Sequence, residues 1–196
     1  MRANKRQQVV DKATELFSRY GFHPVGVDRI IDESGVARMT LYRHFAGKED
    51  LVKEVLEQRY TMIYDSIEEK LRLLDDPLAR VKGIFDWYEG WFASPEFAGC
   101  LFERALAEFG TAHPGISSVA IRYRKHMADW ITEILQPVMD TKAAARVAEI
   151  MVMLLDGATV DARAYGDPKT ANRAWQAAQV LLEQARQSAK LSSGQR

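Results

Sequence analysis

Apolar residues recur along most of the chain at three- and four-residue spacing, and this period predicts helices throughout. Between Lys5 and Tyr20, Val9, Val10, Ala13, Leu16, Phe17 and Tyr20 line one face, while Asp11, Lys12, Glu15 and Arg19 line the other. Gly21 is a natural stop, and Phe22-His23-Pro24 reads as a short connector. Val27–Lys48 then predicts two short helices joined by a tight turn. Val27, Ile30 and Ile31 give the first an apolar face, and Ser34-Gly35 ends it. Val36, Ala37, Leu41 and Phe45 resume the apolar stripe. At about 100° per residue, Met39 and Arg43 fall opposite that stripe, with Thr40 and Tyr42 on its flanks.

The period continues from Lys48 to about Leu74 as one long helix, through Leu51, Val52, Val55, Leu56, Tyr60, Ile63, Ile67 and Leu71. Asp76-Pro77 opens the next helix with a cap and a first-turn proline, and it runs to about Ala93. Ser94-Pro95 breaks it. Leu101–Phe109 is helical, 110–115 is a loop, and Ile116–Gln136 is helical up to Pro137. Thr141–Tyr165 is long and crowded with alanine. Asp167-Pro168 starts a last helix that is expected to end near Ala189, leaving 191–196 as a flexible tail. No strand alternation, internal repeat or low-complexity linker interrupts this pattern. The fold class is all-α.

Composition narrows the picture. With 196 residues, 47% hydrophobic and 28% charged, the chain suits an ordinary soluble protein with a sizeable core. No apolar run is long enough to cross a bilayer, and no apolar signal-peptide core follows the basic first residues, so no membrane partner is expected. The single cysteine, Cys100, points to a reducing cytoplasmic setting and reads as a small buried hydrophobe. The net charge of zero hides a split. Residues 1–48 carry nine Lys/Arg against five Asp/Glu, or +4, and residues 49–196 carry eighteen against twenty-two, or −4. A basic head suggests an anionic partner for that head alone.

The outward helix of Val27–Lys48 offers chemistry suited to a DNA major groove. Arginine pairs with guanine, threonine with either base edge, and an apolar side chain with the thymine methyl. Spacing alone fits any small helical hairpin equally well. Lys5 and Arg6 sit where a basic start of the chain would reach phosphates or a minor groove, or would simply be an untethered terminus.

The residues that decide are Ala13-Thr-Glu-Leu-Phe17, Gly21-Phe22, Gly26-Val-Asp-Arg-Ile-Ile, Ser34-Gly-Val36, Thr40-Leu-Tyr-Arg-His-Phe45 and Lys48-Glu-Asp-Leu51. This run closely resembles the N-terminal head of the tetracycline-repressor (TetR) family, and Thr-Leu-Tyr-x-His-Phe-x-x-Lys-x-x-Leu is its most specific part. The resemblance implies a helix-turn-helix DNA-binding domain over 1–48. It implies a helical ligand-binding and dimerisation domain over 49–190. The function it implies is that of a homodimeric, ligand-responsive regulator, usually a repressor, on double-stranded operator DNA. Arg38, Met39, Thr40 and Arg43 match positions that face bases; Tyr42, His44 and Lys48 match positions that hold phosphates. Two departures stand out. Gly26 and Ala37 occupy positions where the family often has Ser or Thr, and neither side chain can cap or touch phosphate; the missing cap at Ala37 costs about 1 kcal/mol.

For the body, the resemblance implies a four-helix interface with a second copy built from the last two helices. Met153, Gly157, Val160, Trp175 and Leu182 are its candidates, with packing inside their own chain as the alternative. The aromatic load of the middle helices is the feature expected of a pocket for a small apolar or aromatic effector. Its candidate lining is Tyr88, Trp91, Phe102, Tyr123 and Trp130, with Glu103, Arg104 and His126 as polar anchors; core packing is the alternative for each. No metal-ligand spacing, nucleophile elbow, phosphate-binding glycine loop or carboxylate pair appears, so no catalytic residue, metal or cofactor is expected. A helical small-molecule enzyme and a protein-interaction adaptor are the competing readings.

Overall fold

The computed structural model describes residues 4–193, and side chains through Gln187. Its regular elements, among the described residues, are all helical: α1 Lys5–Tyr20, α2 Val27–Ser34, α3 Arg38–His44, α4 Lys48–Leu71, α5 Pro77–Phe92, α6 Leu101–Phe109, α7 Pro114–Leu135, α8 Thr141–Tyr165 and α9 Thr170–Ser193. The expected order and number of helices hold. Helix α9 continues to Ser193, past the expected end near Ala189, and 194–196 of the expected tail lie outside the described residues.

Local chemistry sets the helix ends. The Asn4 side chain accepts from the Arg6 N–H at 3.2 Å and caps α1. Asp76 accepts from Ala79 N–H at 2.7 Å, with Pro77 in the first turn, and Asp140 accepts from Ala143 N–H at 3.0 Å. Gly26 and Ala37 cap α2 and α3 with no side-chain hydrogen bond, as their chemistry requires.

The chain divides into two compact units. The first joins residues 1–63 to 100–123; the second joins 64–99 to 124–196. The division therefore does not fall at residue 48, where the sequence places a domain boundary. Leu51, Val52, Val55 and Leu56 of α4 are fully buried in the first unit, and α6 belongs to it as well. A continuous helix carries no boundary signal at its own start.

In the first unit α1 packs on α2 and α3. Val9, Val10, Ala13, Leu16 and Phe17 of α1, Ile30 of α2, Leu41 of α3 and the following Phe45 are all buried. Phe22 is fully buried between Phe17 and Phe109, with ring centroids 5.0 and 5.4 Å away. Burying one such ring stabilises by about 1.5–3 kcal/mol. Ala37 corrects the predicted stripe. It is exposed, because it caps α3 from outside the helix rather than packing beneath it.

Gly35 makes the turn between α2 and α3 at φ 65° in the left-handed region, and its N–H bonds to Ile31 O at 3.1 Å. A Cβ there would meet nothing within 4 Å, so only backbone strain opposes a side chain. Gly35→Ala is expected to lower unfolding free energy by about 1–2 kcal/mol in a urea titration. No change would show that the turn relaxes to another conformation.

In the second unit α5, α8 and α9 pack against one another. Buried alanines at 144, 148, 158 and 162 of α8 and at 171, 174 and 178 of α9 allow close approach. Trp175 packs on Phe85 at 5.4 Å.

Candidate nucleic-acid interface

Helix α3 is short, and its one buried residue is Leu41. That side chain fixes the helix by its back and leaves the rest of the surface outward. Met39 is 81% exposed, and Arg38, Tyr42, Arg43 and His44 are exposed too; Thr40 is half-buried. Met39, Thr40, Tyr42 and Arg43 line a shallow, mostly apolar concavity. An apolar tip, a hydroxyl, a phenol and a guanidinium on one rigid face suit the mixed donor, acceptor and methyl pattern of a major groove.

The flanking groups fall out less evenly. Arg38 Nη2 pairs with Asp28 Oδ1 at 2.8 Å, a link that periodicity could not show. His44 packs its ring edge-on toward Phe45 at 6.4 Å. Lys48 opens α4 and is half-buried; its Nζ donates to His23 O at 3.2 Å, and burial lowers its pKa despite the nearby Glu108 carboxylate. Glu49 and Asp50 share the same first turn, and Asp50 accepts from Ala46 N–H at 3.3 Å.

Lys5 and Arg6 are not an untethered arm. Both lie in α1, and Lys5 is exposed. Arg6 corrects its expected phosphate role: Nη2 binds Glu54 Oε2 at 2.7 Å and the guanidinium sits 5.2 Å from the Phe45 ring centroid. Its charge is already committed to α4. The hydrogen bond from Arg6 in turn holds the Glu54 carboxyl below its ordinary value. A depressed carboxyl stabilises above its unfolded pKa and loses that contribution as pH falls through the folded one. Arg6→Gln is therefore expected to cost at most about 1 kcal/mol at pH 7, the pair being partly solvated. The difference should vanish at pH 3 in paired thermal melts; a pH-independent difference would assign the loss to packing on Phe45.

The remaining candidates divide between the two units. In the first, Phe102 and Tyr123 are buried and stacked, with centroids 3.9 Å apart and planes at 9°. Arg104 Nη1 donates to Phe17 O at 2.9 Å and Ser18 O at 3.0 Å, tying off the end of α1, a structural task the expected pocket role did not include. Glu103 is half-buried. Arg59, absent from the candidates, is half-buried beside Cys100 and Tyr123, and burial lowers its pKa. Its place on the long helix gave no signal, since an arginine there reads as the solvated face. Cys100 is half-buried at the start of α6, not fully enclosed.

In the second unit, His126 is exposed and stacks on Tyr64 at 4.2 Å, and Trp130 lies 5.2 Å from the same ring. Tyr88 and Trp91 join Phe92 and Phe97 in one cluster, Trp91 meeting Phe97 edge-on at 5.0 Å. Along α8, Met153 is 58% and Val160 55% exposed, and a Cβ on Gly157 would meet nothing within 4 Å. Trp175 and Leu182 correct the expected interface. At 7% and 3% exposure they belong to the interior of their own chain. Periodicity marks an apolar face but not what covers it.

Among the described residues, no group of three or more His, Cys, Asp or Glu could hold a metal ion, and no helix is long and apolar enough to cross a membrane.

A three-helix head with its third helix pinned by the back and turning Met39, Thr40, Tyr42 and Arg43 outward defines a helix-turn-helix protein. Comparison with known proteins makes this specific. Residues 9–55 match the family of bacterial regulatory proteins named for tetR, and residues 77–178 match the tetracyclin repressor-like C-terminal domain. The chain belongs to the TetR family of transcriptional regulators, whose members are not enzymes. The transcriptional activator FasR of Mycolicibacterium smegmatis is 33% identical over 92 residues, which is 45% of this chain and 42% of that protein. The transcriptional repressor KstR2 of the same organism is 29% identical over 83 residues, 42% of this chain and 40% of that protein. The chain thus matches about two fifths of these relatives' length. A crystal structure of a TetR-family transcriptional regulator from Streptomyces coelicolor aligns with a TM-score of 0.86 at 29% identity, covering 93% of this chain and 96% of that one.

Proposed function

We propose that the protein binds double-stranded operator DNA as a homodimer and regulates transcription there in response to a small apolar or aromatic effector. The observation that carries the reading is the α3 face. Met39, Thr40, Tyr42 and Arg43 form one outward surface on a helix whose only buried residue, Leu41, locks its orientation. Arg38, Met39, Thr40 and Arg43 read bases, while Tyr42, His44, Lys48 and Lys5 serve phosphates. Arg6 is left out of this set because its guanidinium pairs with Glu54 of α4.

Dimerisation is supported by Met153, Gly157 and Val160, which leave one face of α8 apolar and uncovered in the single chain. A two-fold axis would set two α3 helices to read half-sites about 34 Å apart, or a multiple of that, so the operator is a palindrome. The effector reading rests on the aromatic content of each unit, with Phe102 and Tyr123 in one and Tyr88, Trp91, His126 and Trp130 in the other. An effector shifts DNA affinity only by as much as it prefers one arrangement of the body over another. Repression is the favoured sign, and the protein acts in the cytoplasm, where its DNA is. The family offers both signs, since FasR is named an activator and KstR2 a repressor.

Selection of bound duplexes from a random pool tests the reading. The expected result is one palindrome with salt-dependent affinity, and a promoter carrying that palindrome is expected to fall silent when the protein is expressed. Enrichment of no sequence would overturn the DNA-reading function. A promoter that gains activity would reverse the sign.

A further inference from the structure

The Arg38–Asp28 pair puts a carboxylate on a surface that, on the function proposed above, must approach a polyanion. Asp28 lies in the first turn of α2 and Arg38 in the first turn of α3, and both remain exposed. The contact is a single N–O approach of 2.8 Å, Arg38 Nη2 to Asp28 Oδ1. As a source of stability it is weak, since an exposed pair of this kind contributes little. As a neighbour of phosphates it is unfavourable, because every negative charge on this face works against docking. An acid in the first turn of α2 also complements the positive end of that helix, whose Gly26 cap offers no side-chain acceptor, but that role is served without a partner on α3.

Its use lies in what it does to Arg38. An unrestrained arginine at the edge of a recognition helix is drawn to the nearest phosphate, which carries no sequence information. The Asp28 carboxylate holds one nitrogen of the guanidinium fork and restricts its side-chain rotation. The side chain remains 57% exposed, which leaves the rest of the planar fork accessible for the bidentate pairing that the O6 and N7 of guanine accept. Asp28 also offsets the unfavourable placement of a cation at the start of α3, a helix whose Ala37 cap supplies no side-chain acceptor.

We propose that Asp28 is a specificity-determining residue that positions Arg38 on a guanine edge and keeps it off the phosphate backbone. It contacts the DNA bases only through Arg38. The inference rests on the DNA-reading function, and its signature differs from that of a phosphate contact or a folding residue. Losing Asp28 strengthens binding to random DNA while weakening discrimination.

The test compares the full-length wild type, Asp28→Asn and Asp28→Glu, using random-pool duplex selection and titrations against the selected and a scrambled duplex. Asp28→Asn is expected to lose preference for G at one position in each half-site, to bind scrambled DNA more tightly, and to cut the specificity ratio by about tenfold. Asp28→Glu, which restores the carboxylate, is expected to recover part of that preference. Thermal melts should show Asp28→Asn folded, so that a loss of discrimination is not a loss of structure. If wild type selects a palindrome and Asp28→Asn selects the same one with equal discrimination, the positioning role is wrong while the DNA-reading function stands. If Asp28→Asn weakens specific and scrambled binding alike, the residue supports the fold and not specificity, which also overturns the proposal. If wild type selects nothing, the DNA-reading function fails and this inference falls with it.

Discussion

Replacing Arg43 with alanine is expected to lower affinity for the selected operator by roughly ten- to a hundredfold per half-site, the range for losing a good bidentate base contact. Scrambled duplex should lose far less, and the fold should be untouched. Arg43 is exposed at the front of α3, beside Met39, Thr40 and Tyr42, and no ion pair to it is seen among the described residues. Leu41 supplies the contrast on the same helix. It is fully buried, so Leu41→Ala removes core packing and should destabilise by about 2–5 kcal/mol, weakening all DNA binding through the folded fraction. Titrations of both duplexes, paired with urea unfolding, separate the two effects. An Arg43→Ala protein that kept its operator preference would move base reading to Arg38, Met39 and Thr40. One that lost stability instead would show that the guanidinium holds the head together.

The front of α3 was legible because helical geometry converts spacing into direction. Once Leu41 and Phe45 were assigned to the core, Met39 and Arg43 could only face outward, and they do. The same rule failed where direction does not identify the partner. Trp175 and Leu182 lie on an apolar stripe as expected, yet the stripe is covered by the chain's own α5 and α8, while Met153 and Val160 stay open. From the sequence Arg6 looks like a terminal charge because its partner Glu54 lies on another helix, and pairings distant in sequence leave no periodic trace. Arg38 and Asp28 are closer in sequence, but their contact depends on the angle between two helices, which the Gly35 turn sets. The compact units follow packing and not the helix start at 48 where the sequence suggests a boundary. Caps and breakers mark where a helix begins, but only tertiary contacts show that α4 is buried from Leu51 onward with the head.

Glu108→Ala is expected to cost the first unit about 1–3 kcal/mol, an effect carried by two backbone donors. Glu108 accepts from the N–H groups of Phe22 at 3.1 Å and His23 at 2.7 Å, in the connector between α1 and α2. One turn earlier on α6, Arg104 donates to Phe17 O and Ser18 O at the end of α1. Together they bind the polar groups that a helix end and a tight connector leave without helical partners. Phe22 is fully buried, so its N–H loses an acceptor that water cannot readily replace, whereas exposed His23 regains one from solvent. Most of the cost therefore comes from Phe22. Glu108→Gln keeps a carbonyl acceptor but removes the charge that faces Lys48, and should fall between wild type and alanine. Arg104→Ala should cost less than Glu108→Ala. The double variant should cost less than the sum of the two, because both residues hold one connector and losing either frees it. Strict additivity in urea titrations would mean that the two act on separate parts of the head. A shortfall would make α6 a single clamp on the segment that sets the angle between α1 and the DNA-reading pair. In that case Glu108→Ala should also weaken operator binding beyond its effect on the folded fraction, although α6 contributes none of the residues proposed to touch DNA.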